Sequence, residues 1–112
     1  MNAQLETAAN AQMTVVMKPQ QHKILLVDDD AAIRQILFRL LSEEGFTVLT
    51  AANGGEALEL ATAVKPGLVL LDLSMPGKDG WQTFEELSTR HALLPVILIT
   101  ARPNQLFPAL AS

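Results

Sequence analysis

An unbroken aliphatic run, Ile24, Leu25, Leu26 and Val27, ends in three consecutive aspartates, Asp28, Asp29 and Asp30. A strand that is apolar at every position must be covered on both faces, which is the condition of a central strand in a parallel sheet wrapped by helices. The acids at its end then mark one rim of that sheet. The residues that follow have the matching rhythm. Ile33, Ile36, Leu37, Leu40 and Leu41 fall at steps of three and four, predicting a helix over 31–44 with one apolar stripe that Gly45 terminates. Arg34 and Arg39 lie off the stripe and read as a solvated face.

The alternation continues. A second strand spans 46–51, and Asn53 with Glu56 forms a capping arrangement for a helix that runs to about Val64. Lys65, Pro66 and Gly67 break it, and 68–72 is a third strand. Beyond a loop holding Pro76 and Gly77, Asp79 and Gln82 repeat the capping arrangement before a helix bearing Trp81, Phe84 and Leu87. Trp81 and Phe84 read as helix packing, and His22 and His91 as solvated. A fourth strand spans 95–100, leaving 101–112 for a loop and a short fourth helix. The predicted organisation is a leader over 1–22, unstructured or at most a short strand through 13–17, and one βα-alternating domain over 23–112.

Composition excludes several classes. A chain of 112 residues supports a single core. Eight Lys and Arg against 12 Asp and Glu give a net charge of -4, which argues against nucleic acid or anionic lipid as direct partners. No stretch approaches the roughly 18 consecutive apolar residues that span a bilayer. The absence of cysteine removes disulfides and thiolate metal sites, and a cytoplasmic setting is the default expectation.

Open parallel sheets bind ligands beyond the carboxyl ends of their strands. Those ends carry Asp28, Asp29 and Asp30 after the first strand, Asp72 after the third and Thr100 after the fourth. If the first and third strands are neighbours, their ends lie about 5 Å apart and bring Asp28 or Asp29 against Asp72. Two carboxylates so placed repel by on the order of 3 kcal/mol at an effective dielectric of about 20. Proton uptake or a cation relieves the repulsion, and oxygen ligands alone favour a hard cation such as Mg²⁺. Asp30 is the expected cap of the first helix.

The segments KILLVDDDAAIRQIL, VLLDLSMPGKDGW and VILITA resemble the bacterial response regulator receiver domain, over residues 23 to about 110. The resemblance implies a flavodoxin-like doubly wound parallel α/β sheet. Its strand order would be 2-1-3-4 here, with the family's fifth strand and last helix missing beyond Ser112. It also implies roles. Asp72 would accept a phosphoryl group. Asp28, Asp29, Asp72 and the backbone carbonyl of Ser74 would hold Mg²⁺, Thr100 would contact the phosphoryl oxygens, and the small Ala101 would leave the donor room. The family's site lysine has no counterpart in the chain. The implied partner is a histidine kinase or phosphotransfer protein, with the module acting as a switch and not as an enzyme. An unpaired fourth strand, Val96, Ile97, Leu98 and Ile99, further predicts self-association. Two alternatives are a receiver-like interaction domain that is never phosphorylated and, less favoured, a metal-dependent phosphohydrolase. The latter usually carries a second aspartate where Leu73 and Ser74 stand.

Overall fold

The structure, a computed structural model, describes residues 22–74 and 80–100. The leader ahead of His22, the capping role of Asp79, Ala101 and the fourth helix expected in 101–112 lie outside those residues. The described elements are β1 (Lys23–Val27), α1 (Ala31–Glu43), β2 (Thr47–Ala51), α2 (Gly54–Val64), β3 (Leu68–Asp72), α3 (Gly80–Arg90) and β4 (Val96–Ile99). All strand pairs are parallel and the order is β2-β1-β3-β4, the doubly wound arrangement expected from the sequence.

The aliphatic run of β1 sits between β2 and β3, and none of Ile24, Leu25, Leu26 and Val27 is more than 2% exposed. On one side of the sheet Leu25, Val27, Val69 and Leu71 form a single cluster with Ala57, Leu58 and Ala61 of α2 and Leu87 of α3. Each such leucine contributes roughly 1.5 to 3 kcal/mol through burial, so this layer supplies much of the fold's driving force.

α1 departs from expectation. No residue of this helix is buried: Leu37 and Leu41 are half-buried, whereas Ile33, Ile36 and Leu40 are exposed, Ile36 at 58% and Leu40 at 53%. The apolar stripe is therefore divided. A helix lying on a flat sheet seats one row of side chains at spacing i, i+4, here Leu37 and Leu41, and the flanking positions face away unless another element covers them.

Local chemistry sets the helix ends. Asp30 Oδ1 accepts from the N–H groups of Ala32 and Ile33 at 2.9 and 3.1 Å, capping α1. At the other end Gly45, with φ of +98°, closes a paired motif in which its N–H donates to Ser42 and that of Phe46 to Leu41. Asn53 caps α2 through the Glu56 N–H, while Glu56 reaches back to the N–H of Ala52, one residue ahead of the cap. Lys65 ends α2 in the left-handed region at φ of 53°. Trp81 and Phe84 meet edge to face with ring centroids 5.8 Å apart, consistent with helix packing. His91, expected in solvent, is half-buried, with its Nε2 3.4 Å from the Thr62 hydroxyl.

Candidate metal and phosphoryl site

Strand register builds the site. Val27 of β1 is paired with Leu71 of β3, so the next residues, Asp28 and Asp72, stand side by side at the carboxyl rim. One ladder further, Asp72 is opposite Ile99, and the Leu73 N–H donates to the Ile99 carbonyl at 2.9 Å, which sets Thr100 at the same rim. One carboxylate oxygen from each of Asp28, Asp29 and Asp72 lies within 4.8 Å of the others. Each is differently exposed: Asp28 is 6% exposed, Asp72 half-buried and Asp29 open to solvent.

Main-chain bonds hold the acids in place. The Asp28 N–H donates to the Ala51 carbonyl of β2 at 3.1 Å, and its Oδ1 accepts from the Asp30 N–H at 2.9 Å. Asp72 Oδ1 accepts from the Ser74 N–H at 2.9 Å, which turns the chain sharply out of β3 and leaves Ser74 exposed beside the acceptor candidate. Asp30, committed to the helix amides, is not part of the cluster.

Burial pushes the Asp28 carboxyl above the usual aspartate range, and the neighbouring charges of Asp72 and Asp29 and a hydrogen bond with Asp72 add to the rise. The Asp30 amide works against it. Three acids competing for one small volume, with oxygen as the only donor type, fit a hard divalent ion that leaves part of its coordination shell for water and a phosphate oxygen. The residues present are therefore suited to Mg²⁺.

Two residues near the site escaped the sequence reading. Arg34, assigned there to a solvated face, is half-buried, and its Nη1 donates to the Asp28 carbonyl at 2.7 Å. A stripe pattern cannot see this bond, because a long side chain in the first turn of a helix reaches back over the preceding loop. Gly80, the residue after the expected cap Asp79, was given no role from the sequence. In the structure it abuts the turn after the acceptor candidate: a Cβ there would fall 2.8 Å from the Asp72 carbonyl oxygen and 2.9 Å from the Leu73 carbonyl carbon. The one sequence signal was a glycine where a helix begins.

Comparison with known proteins agrees with this geometry. The chain is 42% identical over 85 residues to the DNA-binding transcriptional regulator NtrC of Escherichia coli K12, covering 76% of this chain but only 18% of NtrC. Among solved structures, the chemotaxis protein CheY4 of Vibrio cholerae superposes with a TM-score of 0.72 at 28% identity, covering 81% of this chain and 79% of CheY4. The response regulator TrrA of Thermotoga maritima, solved with Mg²⁺ and a beryllium fluoride group, does so at 0.69 and 40% identity, covering 71% of this chain and 70% of TrrA. TrrA has also been solved in complex with the histidine kinase ThkA. The response regulator receiver domain profile matches residues 24–109, nearly the whole span from β1 onward, and the chain belongs to that family of two-component signalling modules.

Proposed function

We propose that the chain is a phosphoacceptor switch that takes a phosphoryl group from a histidine kinase or phosphotransfer protein onto Asp72, with Mg²⁺ held by Asp28, Asp29, Asp72 and the Ser74 carbonyl. The convergence of three carboxylates within 4.8 Å at the end of β3 carries this reading. The divalent ion would supply charge neutralisation for the transferring group. The remaining work falls to the chain. A carboxylate oxygen of Asp72 attacks phosphorus and an acyl phosphate P–O bond forms. The bond from phosphorus to the donor nitrogen breaks, and its electron pair stays on the donor imidazole. Thr100, at the same rim, is the proposed contact for a phosphoryl oxygen, and Ala101 the small neighbour that leaves the donor access. No turnover of a separate substrate is required, so the activity is that of a switch and not of an enzyme.

The exposed Ile33, Ile36 and Leu40 of α1, the helix that begins directly after the acidic run, offer an apolar surface on which such a donor would dock. A cytoplasmic setting follows from that partner. Among the described residues no helix is long and apolar enough to cross a membrane, and the acidic balance gives no support to direct nucleic-acid binding. Self-association along β4 is part of the same reading, since Ile97 and Ile99 are exposed and β3 is its one strand neighbour among the described residues. Sedimentation that returns only monomer at high concentration removes that element.

The test is incubation with Mg²⁺ and a small acyl phosphate, followed by intact mass measurement of the wild-type chain and Asp72→Asn. A single phosphate adduct absent from the variant is expected. No adduct on either chain overturns the phosphoacceptor role and favours a receiver-like interaction domain.

A further inference from the structure

Arg34 reaches from the first turn of α1 to the main chain of a proposed metal ligand. Its Nη1 donates to the Asp28 carbonyl at 2.7 Å, a charge-assisted bond in a half-buried setting. The Asp28 main chain is thus gripped from two directions, by the Ala51 carbonyl of β2 at its N–H and by Arg34 at its carbonyl. The Asp28 carboxylate is in turn tied to the Asp30 N–H. Of these three ties, only Arg34 comes from a helix.

The helix concerned has no buried residue, begins directly after the acidic run and leaves Ile33, Ile36 and Leu40 exposed. Its seat on the sheet consists of the half-buried Leu37 and Leu41, to which Arg34 adds a polar tie at the end nearest the site. The Arg34 side chain also lines a shallow cavity with Ala31, Gln35, Phe38 and Thr50, between α1 and β2. A displacement of α1 therefore pulls on the Asp28 carbonyl, and a displacement of the turn carrying Asp28 and Asp29 pulls on α1.

We propose that Arg34 is a positioning residue: through the Asp28 carbonyl it fixes the β1–α1 turn in the geometry that lets Asp28 and Asp29 share a divalent cation with Asp72, and it thereby couples the α1 surface to the metal pocket. This rests on the divalent-cation reading of the site. Groups that hydrogen-bond to ligating residues set ligand orientation, and their loss typically lowers metal affinity by about 10- to 100-fold even though they never touch the ion. The guanidinium suits the task because it is always charged and presents a rigid fork of donors, where lysine offers a point charge on a flexible stem.

The experiment is calorimetric titration of Mg²⁺ into the full chain, as wild type, Arg34→Met and Arg34→Lys. Urea unfolding and amide NMR spectra of the metal-free proteins accompany it. Expected are Mg²⁺ binding about tenfold weaker in Arg34→Met, severalfold weaker in Arg34→Lys, and displaced Asp29 and Asp30 amide resonances before any metal is added. An Arg34→Met chain that is merely less stable, with Mg²⁺ affinity equal to wild type, overturns the proposal. Should Arg34→Met not fold, Arg34→Lys decides: severalfold weaker binding supports the positioning role and wild-type affinity overturns it. A wild-type chain that binds no Mg²⁺ overturns the cation site itself and this inference with it, an outcome distinct from binding that is indifferent to Arg34.

Discussion

Gly80, the first residue of α3, rests directly on the backbone of Leu73, the residue that follows the proposed phosphoacceptor. A methyl group at Gly80 would meet the main chain of Asp72 and Leu73, which cannot rotate away as a side chain can. Gly80→Ala must therefore push α3 outward or tilt the end of β3. The expected cost is about 1 to 3 kcal/mol of stability, with a reduced phosphate adduct from the small donor. Urea unfolding and intact mass read the two effects separately. Unchanged stability would show that the contact relaxes freely.

The acidic pocket gives the chain a pH dependence of definite sign. Because the folded Asp28 carboxyl titrates above its unfolded value, the folded state keeps a proton that the unfolded chain has released. Its contribution to stability is complete below the ordinary aspartate range, declines as pH rises through the raised value, and is constant beyond. Mg²⁺ binding runs the other way, since it requires the ionised carboxylate and weakens as pH falls through the same window. Asp28→Asn should flatten the first dependence, make the metal-free protein more stable at neutral pH and weaken Mg²⁺ by about tenfold or more. Thermal unfolding and calorimetry across pH 4 to about 8 check both slopes.

Thr83 is fully buried in α3, and among the described residues its hydroxyl has no hydrogen-bond partner. A buried hydroxyl in that state loses its water without replacement. Thr83→Val keeps the shape and removes the polar atom, and should raise stability by about 1 kcal/mol in urea unfolding, with Mg²⁺ binding unaltered. A loss of stability would mean that the hydroxyl is satisfied.

Ile36 is 58% exposed on α1, too open for its side chain to support the core. Ile36→Ser should leave stability within about 0.5 kcal/mol and leave phosphorylation by the small donor unchanged, while slowing transfer from a kinase severalfold. Equal transfer rates from the kinase would remove α1 as the docking surface.

The sequence made β1 and the acid cluster legible for one physical reason: both are patterns of side-chain type. Four aliphatic residues in a row required cover on both faces, and the structure supplies it. Asp72 ends a strand whose alternate residues, Val69 and Leu71, are wholly buried, so its place at the rim was set by the same pattern. What stayed hidden depends on shape. The division of the α1 stripe follows from how one cylinder sits on the sheet, the Arg34 bond from the reach of a flexible side chain, and the Gly80 contact from two backbones touching.

The pairing of Val27 with Leu71 has a consequence for how such a chain tolerates change. Slippage of β3 by a single residue would exchange its two faces and carry Asp72, the proposed nucleophile, to the far side of the sheet. Fidelity of the proposed chemistry is thus guarded by greasy side chains that stand outside the acidic pocket. Interior substitutions that shift this register are expected to abolish the phosphate adduct even where Asp28, Asp29 and Asp72 are all intact.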